Sequence, residues 1–79
     1  MARQFGAAVR RHRELLGLSQ EELAERAGVD RTYLSGVERG TRNPTLQVLQ
    51  RLADALGSDL DVIFDTAREL ARKSNAENS

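Results

Sequence analysis

Apolar residues recur along the chain at intervals of three and four positions, and no stretch alternates apolar and polar residues with a period of two. The first spacing places apolar side chains on one face of an α-helix, whereas a half-buried strand needs the second. The pattern therefore predicts a protein built only of helices.

Capping residues and glycines divide this pattern into five predicted helices. Ser19 and Glu22 form a capping box, in which the serine hydroxyl accepts from an amide of the first turn and the glutamate reaches back. Asp30 and Thr45 are N-caps of the same chemical type. The predicted helices cover residues up to 17, 19–28, 31–38, 45–56 and 59–72.

Each predicted helix offers apolar residues to one shared core. We predict a single domain of residues 1–73, followed by a disordered tail of residues 74–79 because that segment has nothing to bury. The predicted inner positions of the first four helices are Phe5, Val9, His12 and Leu16, then Leu23, Ala24 and Ala27, then Leu34 and Val37, then Leu46, Leu49, Leu52, Ala53 and Leu56.

The second and third helices, separated by a short turn, form the arrangement of a helix-turn-helix over residues 19–38. Gly28 supplies the residue of positive φ that the turn needs, and Val29 follows it as an apolar plug. The remaining positions of the third helix have no evident structural role and are expected to face solvent or a groove: Arg31, Thr32, Tyr33, Ser35 and Gly36.

The overall charge is zero, but it is distributed unevenly. Residues 1–45 hold eight arginines against six acids, a balance of +2, and residues 46–79 hold four basic groups against six acids, a balance of −2. Arginine suits planar contacts to phosphate and guanine but also serves surface ion pairs, so composition alone leaves the partner undecided. There is no cysteine, no apolar run long enough for a membrane span and no secretion signal, so we expect a cytoplasmic protein.

Four segments in characteristic order and spacing resemble the phage-repressor, or XRE, helix-turn-helix family: LSQEELA (18–24), GV (28–29), YLSGVERG (33–40) and RNPTL (42–46). The resemblance covers about residues 5–64 and implies an all-α, compact, five-helix lambda-repressor-like fold. Within the family, DRTY (30–33) with the arginine and asparagine at 42–43 looks most like the controller proteins of restriction–modification systems.

The resemblance also implies a DNA-binding surface. Gln20 matches a phosphate contact at the start of the second helix, where the helix dipole favours an anion. Arg31, Thr32 and Ser35 match base-reading positions, and the Arg31 fork suits guanine N7 and O6. The predicted DNA-binding residues are Gln20, Arg31, Thr32, Tyr33, Ser35, Arg42 and Asn43.

Other positions are expected to be structural or depart from the family pattern. Arg13 and Glu38 match a pair that bridges the first and third helices in relatives. Three positions depart from the family pattern: His12 and Ser58 stand where aliphatic residues are usual, and Val62 stands where a polar residue is common. We expect the change at His12 to loosen the packing of the first helix and the other two changes to alter the surface around the fifth helix. As a lone histidine, His12 is expected to be partly buried and satisfied by a neighbour.

The fifth helix carries an almost continuous apolar run, and one face cannot bury all of it. The exposed remainder predicts a homodimer through the fifth helix, to which the end of the fourth helix is a candidate extension, while a monomer with an exposed Val62 is the alternative. The predicted dimer interface consists of Leu60, Val62, Ile63 and Phe64.

These features predict a transcriptional regulator that binds a palindromic double-stranded DNA operator as a homodimer, as a restriction–modification controller does. The alternative is an antitoxin-type interaction module that neutralises a protein partner and also regulates itself through DNA. We expect no enzyme, because no nucleophile, base and orienting group can be assembled. We also expect no metal, no cofactor, no membrane partner and no small-molecule effector domain.

Overall fold

A computed structural model describes the backbone of residues 2–78 and the side chains of residues 3–74. Within residues 2–78 the chain forms five α-helices and no strand: α1 (Ala2–Leu15), α2 (Gln20–Ala27), α3 (Arg31–Arg39), α4 (Leu46–Ala55) and α5 (Leu60–Asn78). The predicted all-α, five-helix architecture is confirmed. No helix in this range is both long and apolar enough to cross a bilayer.

The ends of α2, α3 and α4 follow from local hydrogen bonds. The Ser19 hydroxyl accepts from the Glu22 amide, and the Glu22 carboxylate accepts from the Ser19 amide, both at 3.0 Å. The side chains of Asp30 and Thr45 accept in the same way from amides in the first turns of α3 and α4. Gly28 ends α2 with a φ of 70°, a left-handed conformation that costs other residues about 1–2 kcal/mol. The three predicted N-caps are confirmed.

One hydrophobic core lies between the helices. Helix α1 packs against α5 and α3, and α2 packs against α3 and α4. The rings of Phe5 and Phe64 join α1 to α5 with centroids 5.4 Å apart and planes inclined by 56°. The largest fully buried side chains are Val9, Leu23, Leu34, Val37, Leu52 and Ile63. This core fixes the relative positions of α2 and α3.

The close approach of α1 to α3 depends on Gly6. A Cβ atom at this position would lie 2.0 Å from the carbonyl oxygen of Val37 and 2.8 Å from that of Glu38. Both neighbours are backbone atoms of α3, so they cannot turn away as a flexible side chain would. Any larger residue would therefore force the two helices apart, a requirement that the apolar pattern did not reveal.

Two residues predicted to face the core are exposed instead. Leu16 is 54% exposed because the chain reverses at Gly17, where the Leu18 amide bonds back into the last turn of α1 and Leu18 enters the core. Leu46 is 68% exposed because it is the first residue of α4 and precedes the turns that reach the core. The predicted helices are correct, but the spacing of apolar residues does not show which residues at the end of a helix lie too far from the core to pack against it.

The fifth helix is longer than predicted. We expected α5 to end near Arg72, and it continues to Asn78. The predicted disordered tail of residues 74–79 falls almost wholly on positions 75–79, whose side chains lie outside the described residues. Its disorder stays a prediction.

Candidate nucleic-acid interface

Helix α3 buries one face and presents the other to solvent. Leu34, Val37 and Glu38 are buried against the protein. Arg31 and Arg39 are exposed on the opposite face with Thr32, and Ser35 is half-buried between them. Residues four apart on a helix lie on the same face, so Arg31, Ser35 and Arg39 form one stripe. This stripe is a polar surface with an arginine at each end.

The N-terminal ends of α2 and α3 open onto one shallow groove. Its lining residues are Arg13, Ser19, Gln20, Glu21 and Arg31. The fold thus brings together Gln20 and Arg31, which the sequence assigned to phosphate and base contacts. The amides of the first turn of α2 also carry partial positive charge, which favours an anion at this end of the groove.

The loop after α3 is held against Gly36. The carbonyl oxygen of Gly36 accepts from the Thr41 amide at 2.9 Å, from the Thr41 hydroxyl at 3.1 Å and from the Arg42 amide at 3.3 Å. A Cβ atom on Gly36 would lie 2.6 Å from Cγ of Arg42. Gly36 is therefore buried beneath the loop, and the prediction that it faces solvent was wrong. The exposed Arg42 and Asn43 lie beside α3 as a result.

Tyr33 is only partly available to a ligand. Its side chain is half-buried and packs against the hydrophobic core, whereas we predicted an exposed ring. Tyr33 lies at the side of α3, between the buried face and the exposed face of that helix. A role in DNA binding stays a prediction for the part of the ring that remains accessible.

A buried polar network lies behind this surface. The Glu38 carboxylate accepts from Arg13 Nε at 2.8 Å, from Arg13 Nη2 at 3.0 Å and from Gln20 Nε2 at 3.1 Å. Arg13 also donates from Nη1 to the carbonyl oxygen of Leu18 at 2.8 Å. The network joins α1, α2 and α3, and it confirms the ion bridge expected from the family. The bond of Gln20 to Glu38 is a structural role that the sequence did not reveal.

The network also determines the charge that the surface presents. The Arg13 and Glu38 side chains are 11% and 3% exposed. The side-chain hydrogen bond with Glu38 raises the pKa of Arg13 above its ordinary value. Because Glu38 is buried and paired, its negative charge is removed from the surface. The exposed stripe of α3 is left with the two guanidinium groups of Arg31 and Arg39.

The single histidine is satisfied within the protein. His12 is half-buried on α1, and its Nε2 atom lies 2.9 Å from the Thr66 hydroxyl of α5. The Thr66 hydroxyl donates in turn to the carbonyl oxygen of Val62 at 3.1 Å. The predicted structural role of His12 is confirmed.

The apolar run at the start of α5 divides between core and surface. Ile63 is 1% exposed and belongs to the core of its own protomer, so its predicted place in the dimer interface was wrong. Leu60 and Phe64 are half-buried and pack on the same core, while Val62 is 44% exposed. Neighbouring residues on a helix point in different directions, so a continuous apolar run is divided between the buried and the exposed faces of α5.

Comparison with known proteins agrees with this geometry. A family model described as helix-turn-helix matches residues 9–63, more than half of the chain. The chain belongs to the helix-turn-helix family. The resemblance to the XRE type that the sequence motifs predicted is confirmed.

Three similar proteins show how this chain is related to other helix-turn-helix proteins. It is 44% identical, over 75% of its length, to an HTH-type transcriptional regulator of Mycobacterium tuberculosis, and it spans only 42% of that relative. The restriction–modification controller protein C.AhdI from Aeromonas hydrophila is 44% identical in sequence. Its crystal structure matches this one with a TM-score of 0.77, and the match covers 78% of this chain and 94% of that one. The controller C.Esp1396I, solved as a tetramer with its natural 35 base-pair operator, is 31% identical, with a TM-score of 0.79 over 86% and 90% of the two chains.

Proposed function

We propose that the protein is a sequence-specific DNA-binding regulator of transcription, of the type that controls restriction–modification systems. The observation that carries the proposal is the outer face of α3, where Arg31 and Thr32 are exposed and the half-buried Ser35 lies between Arg31 and Arg39. The similarity to two controller proteins, one of them crystallised on its operator, supports the same function.

In the proposed complex, α3 enters the major groove, which is about 12 Å wide and admits one helix. Arg31 donates two parallel hydrogen bonds to guanine N7 and O6, while Thr32 and Ser35 contact neighbouring base edges. Gln20 at the head of α2 and Arg42 with Asn43 after α3 bind phosphates on either side. Glu38 keeps one hydrogen of the Gln20 amide and leaves the second to donate to phosphate.

Selection from a library of randomised DNA duplexes tests this function. The protein is expected to enrich a palindrome whose half-sites lie about 34 Å apart, the distance between successive major grooves on one face of DNA. A quadruple variant that removes the side chains of Arg31, Thr32, Ser35 and Arg42 serves as the control. Enrichment of the same sequence by this control, or of none by the natural protein, would contradict the proposal.

We infer that two copies associate through the start of α5. Val62 is the exposed apolar residue there, and the half-buried Leu60 and Phe64 flank it. One controller relative binds its operator as a tetramer, which supports assembly of more than one copy. A two-fold pair would present two α3 helices to one face of DNA.

Replacing Val62 with aspartate tests this interface. An aspartate from each copy would be buried without a partner in the proposed interface and would oppose association, so we expect a monomer at concentrations where the natural protein is a dimer. Analytical ultracentrifugation measures the mass. Leu15 is 76% exposed on α1, so Leu15→Asp is the matched control and should leave the dimer intact. Equal dimer fractions in the Val62 and Leu15 variants would show that the interface lies elsewhere.

A further inference from the structure

We propose that Arg39 is a positioning residue, which fixes the Ser35 hydroxyl as a hydrogen-bond donor to DNA and so sets the base that Ser35 accepts as a partner. This inference rests on the proposed function and deepens it. Arg39 lies within the YLSGVERG segment, but the family resemblance assigned it no role in binding DNA.

The geometry that carries the inference is one contact on the exposed stripe of α3. Arg39 donates from Nη1 to Ser35 Oγ at 2.7 Å, one turn of helix away. Arg39 is exposed, and Ser35 is half-buried between Arg39 and Arg31. The contact thus lies on the surface that the proposed complex presents to the bases, and it constrains the side chain at the centre of the stripe.

Because a hydroxyl can both donate and accept, the contact with Arg39 affects which of these roles Ser35 has towards DNA. A serine hydroxyl has one hydrogen to donate and two lone pairs to accept with. Arg39 occupies a lone pair, and its positive charge repels any second donor that approaches the same oxygen. The hydroxyl hydrogen is then what Ser35 offers to the groove.

The bases differ in what they present to such a donor. In the major groove, guanine presents N7 and O6, adenine N7 and thymine O4 as acceptors, whereas cytosine N4 and adenine N6 are amino donors. A donating Ser35 is therefore expected to favour an acceptor atom at its base pair and to disfavour the amino groups of cytosine and adenine. Without Arg39 the hydroxyl rotates freely and accepts as well as donates, so the preference weakens.

The experiment measures base preference in four variants of the full chain. Duplexes enriched from a randomised library by the natural protein, together with all their single-base variants, are titrated by fluorescence anisotropy. The variants are Ser35→Ala, Arg39→Met, the double variant, and Arg51→Met as a control. Methionine keeps the length of the side chain without its donors, and Arg51 is an exposed arginine of α4.

The expected result is a coupled loss at one base pair. Ser35→Ala and Arg39→Met each reduce discrimination at the same position by about threefold to tenfold, as one hydrogen bond allows. The double variant loses no more discrimination than either single variant, because both changes remove the same interaction. The Arg51→Met control keeps the preference of the natural protein.

Other results would overturn the inference. If Arg39→Met weakens binding to every duplex equally, adds to the effect of Ser35→Ala and lowers the salt slope by about one, then Arg39 only contacts phosphate. Unchanged discrimination in either single variant would equally reject the positioning role. If the natural protein enriches no sequence at all, the proposed function itself fails and this inference fails with it.

Discussion

Replacing Glu38 with glutamine tests the buried network that joins α1, α2 and α3. The exchange keeps the shape of the side chain but leaves the Arg13 guanidinium, only 11% exposed, without its carboxylate. Removing one partner of a buried ion pair costs about 3–5 kcal/mol, because the other charge stays buried and uncompensated. A domain of this length unfolds with a free energy of about 4–12 kcal/mol, so the loss is a large fraction of the total.

The expected effect is large enough for thermal unfolding followed by circular dichroism. At about 4–8 °C per kcal/mol, the Tm of Glu38→Gln should fall by roughly 12 °C or more at a fixed protein concentration. Glu14→Gln makes the same chemical change in the Arg10–Glu14 pair, whose atoms are 3.5 Å apart and whose side chains are 62% and 56% exposed. Such exposed pairs contribute about 0.3–0.5 kcal/mol, so this control should melt within about 4 °C of the natural protein. The reasoning is refuted if the two variants have the same Tm.

Two further changes test packing and pH dependence. Gly6→Ala should lower the free energy of unfolding by about 3 kcal/mol, at the upper end of overpacking costs, because its Cβ would meet the Val37 carbonyl oxygen at 2.0 Å. Gly17→Ala is the control, because a Cβ there meets no atom within 4 Å and only the positive φ of Gly17 is unfavourable, at about 1–2 kcal/mol. Equal denaturation midpoints for the Gly6 and Gly17 variants would disprove the close approach of α1 to α3. Hydrogen bonds from the backbone and, to a smaller extent, the side chain of Ser19 lower the pKa of Glu22. Its stabilising charge is therefore fully present above the pKa of an unfolded glutamate and is lost as the pH falls through the lowered folded pKa. The Tm advantage of the natural protein over Glu22→Gln should therefore shrink between pH 6 and pH 3, whereas a constant difference would mean that the charge contributes nothing.

Features that depend on near neighbours in the sequence could be predicted from it. The capping box of Ser19 and Glu22 and the cap at Asp30 need only contacts three residues apart, and Gly28 ends α2 through its own φ. The contact between Ser35 and Arg39 is also local, since it spans one helical turn, and the sequence would have allowed it to be predicted.

Features that depend on tertiary packing could not be predicted in the same way. The need for glycine at position 6 appears only when α1 lies against α3, and Gln20 meets Glu38 only when α2 and α3 are folded together. The burial of Ile63 in the core could not be predicted for a similar reason. A continuous apolar run does not show which of its members turns inward, because that depends on where the core lies relative to α5.

The assignment of α3 to base reading is tested most directly by Arg31→Ala, titrated against the DNA duplex selected by the natural protein and its single-base variants. The predicted result is a loss of about 1–3 kcal/mol on the selected duplex, with discrimination lost at one base pair of each half-site and binding to unrelated DNA little changed. Arg51→Ala should leave both affinity and discrimination intact. If Arg31→Ala binds the selected duplex with the affinity and base preference of the natural protein, the exposed face of α3 does not read DNA as we propose.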